Sequence, residues 1–101
     1  MATVLTTAGK GVTTSMLVGA GATVPKYVGI GSGSTTALVA DTALTTEYTT
    51  GSWTGYARVS GTATQQTTGV ANDTAQWVAT WTAGASQTVA EAGNFTAAVN
   101  E

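Results

Sequence analysis

Between residues 73 and 82 the side chains alternate: Ala75, Trp77, Ala79 and Trp81 fall on one side of a two-residue repeat, and Thr74, Gln76, Val78, Thr80 and Thr82 on the other. One face is apolar and the other mostly polar, the pattern of a half-buried antiparallel strand. Two of the three Trp residues of the chain lie on the apolar face. The pattern therefore predicts a central strand over 73–81, its Trp77 and Trp81 face inward and its Gln76, Val78 and Thr80 face given to solvent or a neighbour. A buried Trp removes roughly 150–250 Å² from water, an upper bound of about 4–6 kcal/mol, which Thr and Ala strands cannot match.

Shorter strands are predicted around it. Val24, Lys26, Val28 and Ile30 alternate with Pro25, Tyr27 and Gly29, and Gly29, Gly31 and Gly33 then end that strand. Residues 56–60 and 64–71 have strand character, and Asn72 with Asp73 turns the chain into the central strand as a hairpin. After a turn at 83–86, residues 87–91 and 95–99 read as the last two strands, separated by Gly93 and Asn94. A helix start is visible at Asp41, good for a single turn before the Thr run. Short strands with turn residues between them predict an all-β domain over 24–101, a small antiparallel β-sandwich or barrel-like module.

Residues 1–23 break this pattern. Thr, Gly and Ala dominate, with Val4, Leu5, Val12, Met16, Leu17 and Val18 as anchors, and glycines at 9, 11, 19 and 21 interrupt any strand. The stretch reads either as an extended arm, whose free backbone groups can add to a neighbour's sheet, or as a frayed terminus.

Composition narrows the chemistry. With neither Cys nor His, disulfides, Cys/His zinc sites, thiol nucleophiles and the commonest general base are excluded, and no cofactor is expected. Charged residues are 8% of the chain and the net charge is −2, against roughly 25% charged residues in an ordinary soluble domain. Lys10, Lys26 and Arg58 are scattered, so nucleic acid is not an expected partner. No apolar run is long enough to span a membrane and no basic-then-apolar leader is present, which predicts neither membrane nor secretion, with synthesis ending in the cytoplasm. The glycine spacing from Gly29 fails as a dinucleotide loop because Ser34 stands at its sixth position. A surface of Thr, Ser, Gly and Ala suits contact with other protein; the plainer reading is a Thr-rich monomer kept soluble by hydroxyls.

The carboxylates are Asp41, Glu47, Asp73, Glu91 and Glu101. Two carboxylates about 5–10 Å apart can run acid/base hydrolysis, so a small carbohydrate hydrolase or binding module is the reading from another class. Each carboxylate has a simpler assignment: Asp41 as a cap, Asp73 in a turn, Glu101 at the terminus. The lone arginine, Arg58, is expected to pair with Glu47 or Glu91, Glu47 being the first choice. The sequons at 72–74 and 94–96 are read as chance in a Thr-rich chain.

Two blocks carry a resemblance. PKYVGIGSGSTTALVADTALTTE at 25–47, followed by Arg58, Val59, Ser60 and Gly61, and NDTAQWVATWTAGASQTVAEAGNFTAA at 72–98 together resemble small all-β virion structural proteins of tailed bacteriophages. In those proteins a strand ending Y-[IV]-G-x-G-[ST]-G leads to D-T-x-L-x-x-E, then to an Arg-containing strand and an N-D-T … E-A-G-x-F block. The resemblance implies structural roles for Tyr27, Gly29, Gly31, Asp41, Thr42, Leu44, Glu47, Arg58, Asn72, Asp73, Trp81, Glu91, Ala92, Gly93 and Phe95, with Tyr27, Leu44 and Phe95 joining Trp77 and Trp81 in the core. It implies no catalysis. The short chain with its N-terminal arm is most similar to capsid cement (decoration) proteins, which bind the major capsid protein on the outside of the head, often as trimers. The alternative within the same family is a tail or fibre component.

Overall fold

The computed structural model describes residues 3–84 and 86–98. The expected arm, the turn at 83–86, the strand at 95–99 and the terminal carboxylate reach Met1, Ala85, Val99 and Glu101, which lie outside the described residues. Within them the chain forms one helix, α1 (Thr7–Leu17), and five strands: β1 (Tyr27–Gly31), β2 (Val59–Ser60), β3 (Thr62–Gln66), β4 (Thr74–Val78) and β5 (Glu91–Phe95). They make two small antiparallel sheets, three-stranded in the order β2-β1-β5 and two-stranded from β3 and β4.

The helix occupies the stretch predicted as an extended arm. Its ends explain why. Thr6 is the N-cap, its hydroxyl accepting from Gly9 N–H at 3.0 Å. At the other end Gly19 takes φ 69°, its N–H donates to Met16 C=O at 3.2 Å, and Ala20 N–H donates to Ser15 C=O at 2.8 Å. This is a complete Schellman closure, which needs glycine in the left-handed region. The glycine that looked like strand punctuation is a helix stop. The helix start expected at Asp41 is absent: the Asp41 carboxylate accepts from Leu38 N–H at 2.8 Å and closes a turn behind it instead.

β1 is the centre of the larger sheet, with Tyr27 opposite Phe95 and Gly31 opposite Glu91 on one side, and Tyr27 opposite Ser60 on the other. Gly93 and Asn94, expected to separate two strands, lie mid-strand opposite Gly29 and Val28. A side chain at Gly93 would press on Leu44 Cδ2 and the Phe95 ring at 3.3 Å, so glycine there admits neighbours rather than a turn. β2 runs into β3 through Gly61, whose N–H donates to Lys26 C=O at 2.7 Å and whose open face receives Trp77. The chain changes sheets at that corner. β3 pairs with β4 from Thr62 opposite Val78 to Gln66 opposite Thr74, a hairpin leading into β4 as expected but with its first strand at 62–66 rather than 64–71, so that 67–73 form a loop in place of a tight turn at Asn72 and Asp73.

The core lies away from the predicted central strand. Ile30, Tyr48, Trp53 and Tyr56 are its buried members, and Trp81 packs against them. The rings of Tyr48 and Trp53 meet edge-on at 5.1 Å, and Tyr56 lies 6.2 Å from each. Trp53 Nε1 donates to Thr82 C=O at 3.0 Å, tying the 49–56 turns to the segment after β4. The expected core residues Tyr27, Leu44, Trp77, Trp81 and Phe95 are half-buried. For Trp77 and Trp81 the reason is local: β4 belongs to the two-stranded sheet, which among the described residues has no third strand, and ends at Val78 before Trp81 is reached; Tyr27 and Phe95, paired between β1 and β5 of the larger sheet, are half-buried there.

Candidate functional site

The alternating glycines of β1 and the residues after it clear a floor for two carboxylates. A Cβ at Gly29 would lie 2.9 Å from Glu47 Oε2 and 3.0 Å from Phe95 Cε2, and one at Gly33 would lie 2.8 Å from both Glu91 oxygens. One at Gly31 would run into the Thr46 carbonyl and Glu91 Oε1. Glycine at every second position puts all three gaps on one side of an extended chain.

Glu47 fills the first gap. Arg58 grips it with two parallel bonds, Nε to Oε2 and Nη2 to Oε1, both at 2.8 Å, and the two side chains are only 6% and 1% exposed. Tyr56 donates its hydroxyl to Glu47 Oε2 at 2.9 Å and accepts Ile30 N–H at 3.1 Å, linking the pair to β1. Arg58 lies 3.6 Å over the Phe95 ring, and its Nη1 reaches Ala97 C=O at 3.3 Å. Burial pushes the Tyr56 phenol up to about 12, opposed by the Ile30 N–H it accepts and assisted by the Glu47 carboxylate it serves.

Glu91 fills the second gap, accepting Thr46 N–H at 2.6 Å and Thr45 N–H at 3.0 Å. The 45–48 segment is thereby held along β1, where Thr46 C=O accepts Ser32 N–H at 3.0 Å and Tyr48 N–H donates to Ile30 C=O at 3.1 Å. The two glutamates have divided the tasks foreseen for either: Glu47 takes the arginine, and Glu91 takes backbone amides. The signal for Glu91 was legible only as the glycine spacing, which marks close approach of another group.

A third carboxylate organises the hairpin loop. Asp73 accepts the N–H groups of Thr68, Gly69 and Val70, each at 2.9 Å, and the Thr68 hydroxyl. These backbone donors, Val70 first, hold its carboxyl well below the usual carboxylate range. Asn72 supports the turn at φ 59°.

Of the anchors foreseen in the arm, Leu5, Met16, Leu17 and Val18 are exposed, Val4 is marginally so, and Val12 is half-buried. A shallow cleft of ≈ 210 Å³ opens beside Glu47, Tyr56 and Arg58, and another of ≈ 450 Å³ lies over Ser52, Trp53 and Gln87. The carboxylate in the first is already engaged on both oxygens. Among the described residues no cluster of three or more Asp, Glu, His or Cys could hold a metal ion, and no helix is long and apolar enough to cross a membrane. No protein-family model, curated protein or solved structure matches the chain.

Proposed function

We propose that the protein is a structural component of a tailed-phage particle, a capsid cement protein that binds the outer surface of the head and stabilises contacts between major capsid protein subunits. The observation that carries this reading is the use of the buried charges. Glu47, Arg58 and Glu91 are consumed in tying β1, β5 and the 45–48 segment together, so the buried charges serve a rigid framework. The outer surface is nearly uncharged and dotted with exposed apolar residues, a composition suited to protein contact. In the assembled particle the two sheets serve as parts of a sandwich-like or barrel-like module, repeated as a homo-oligomer, trimer favoured, whose many modest contacts add through high effective concentration.

The tail or fibre reading draws on the β3–β4 ribbon, whose β3 is exposed at every residue and whose loop is braced by Asp73. Mixing the purified chain with heads lacking it separates the readings. A cement protein co-sediments in hundreds of copies per head and raises the temperature at which heads release DNA. A copy number of about six to twelve per particle, with no binding to isolated heads, would move the protein to the tail.

A further inference from the structure

Beyond the Gly61 corner, residues 62–78 close on themselves. β3 and β4 pair with each other, and the side-chain and turn hydrogen bonds of the 67–74 loop all end inside the same stretch. Asp73 braces that loop, so the ribbon keeps its shape from base to tip. Both of its ends are fastened to the body. On one side Gly61 N–H donates to Lys26 C=O at 2.7 Å. On the other, Trp81 Nε1 donates to Ala57 C=O at 2.9 Å, and Thr82 C=O accepts from Trp53 Nε1 at 3.0 Å. Between these fastenings and the ladder lie the 61–62 peptide and residues 79–80, side by side at the Thr62–Val78 pair. Short links at the ends of elements are where hinges absorb backbone change.

Trp77 spans the gap between ribbon and body. A Cβ on Gly61 would lie 3.2 Å from Trp77 Cβ and 3.3 Å from Val28 Cγ2, so the Trp77 side chain and a β1 side chain meet over bare backbone. The three tryptophans differ in one respect. The indole N–H groups of Trp53 and Trp81 donate to carbonyls, whereas Trp77 Nε1 is buried and, among the described residues, has no acceptor. Burial of the ring favours this seat, and burial of an unpaired N–H opposes it. Leaving the seat exposes the ring but gives the N–H water as its acceptor, so the two states lie close in free energy.

We propose that the β3–β4 ribbon swings as a rigid body about 61–62 and 79–80, with Trp77, seated against Gly61 and Val28, as the latch that closes it. The ladder and the Asp73 loop stay intact in both positions; only the Trp77 contact is made and broken. The swing is a property of the free chain and does not depend on whether the protein belongs to a head or a tail.

Nitroxide labels on Val70→Cys at the ribbon tip, where the side chain is 71% exposed, and on Asn94→Cys in β5 measure the swing by pulsed dipolar spectroscopy of the full, otherwise cysteine-free chain. Two distance populations are expected in the parent. Gly61→Ala fits a backbone without left-handed φ but crowds the seat. It should shift weight to the open distance and speed solvent exchange of the Trp77 indole N–H at least about tenfold, while the amides of the β1–β5 and β3–β4 ladders keep their protection. Val28→Ala removes one wall of the seat and should act in the same direction; it carries the test if Gly61→Ala does not fold. A single narrow distance shared by the parent and the variants overturns the proposal. Protection lost in the β3–β4 ladder together with the indole N–H would mean that the ribbon unpairs instead of swinging, and overturns it too. So does indole exchange that rises only in step with the β1–β5 amides, which would make Trp77 part of the body's own cooperative unit.

Discussion

The Arg58/Glu47 pair joins two side chains that are otherwise costly to bury. Their geometry is bidentate, and Tyr56 and Phe95 complete the surroundings. Removing one member leaves the other charged and desolvated, so Arg58→Met is expected to lower unfolding stability by roughly 3–5 kcal/mol. The double variant Arg58→Met/Glu47→Gln should recover part of that loss, because it removes the orphaned charge. Urea denaturation followed by Trp fluorescence measures these and Glu47→Gln; a double variant whose loss relative to the parent equals the sum of the two single losses would mean the pair is not coupled. That Arg58 needs a carboxylate was legible from its being the only arginine. Glu47, put ahead of Glu91 in the sequence reading, is the partner, and the Gly31↔Glu47 bridge is what places 47 beside β1.

The hairpin is an element whose loop, more than its strands, defines it. β3 is exposed at every residue and β4 half-buried only at Thr74 and Trp77, and two-stranded ribbons are marginal alone. Asp73 compensates by accepting three successive loop amides. Asp73→Ala should therefore speed hydrogen exchange at Thr68, Gly69 and Val70 while leaving Ile30 protected. Because the folded carboxyl is held below its ordinary value, the contribution is present above about pH 4 and is lost as pH falls through the folded value. In the parent the three amides should lose protection on acidification below about pH 4, whereas in Asp73→Ala they should show no such step. A chain reversal before β4 was readable from Asn72 and Asp73, residues whose side chains can bond local backbone; the length of the loop was not. The α1 helix was equally written in Thr6 and Gly19, but glycine spacing serves strands and helix stops alike, and only the closed bonds at Ser15 and Met16 distinguish them.

For the whole molecule, the position of the aromatic centre decides which substitutions unfold it. Trp53 is buried among Tyr48, Tyr56 and Ile30, whereas Trp77 lies half-buried at the Gly61 corner. Trp53→Ala is expected to cost about 3–5 kcal/mol and Trp77→Ala clearly less, with Trp81→Ala between them because Trp81 touches the core from outside. Thermal melts of the three variants rank them; Trp77→Ala melting below Trp53→Ala would return the core to β4. Trp53 escaped the sequence reading because it stands in a Gly- and Ser-flanked turn with no apolar repeat, and a turn gives no period from which burial can be read.

The sequence by itself determined the elements whose signals are local: strand character in β1 and β4, a chain reversal at Asn72 and Asp73 leading into β4, the scarcity of charge, and the requirement that Arg58 be paired. These follow from backbone preference and from the cost of an unpaired charge, which act within a few residues or on a single residue type. Tertiary structure alone decided that the core gathers on the 48–56 turns, that the alternating glycines at 29, 31 and 33 make room for Glu47 and Glu91, and that β3 and β4 stand in a sheet apart from β1. Burial is a property of what comes to lie on a face, and an alternating strand states which face is apolar without stating whether anything covers it. The 73–81 stretch has the right alternation, yet much of its surface stays open because β4 has only β3 beside it in its sheet.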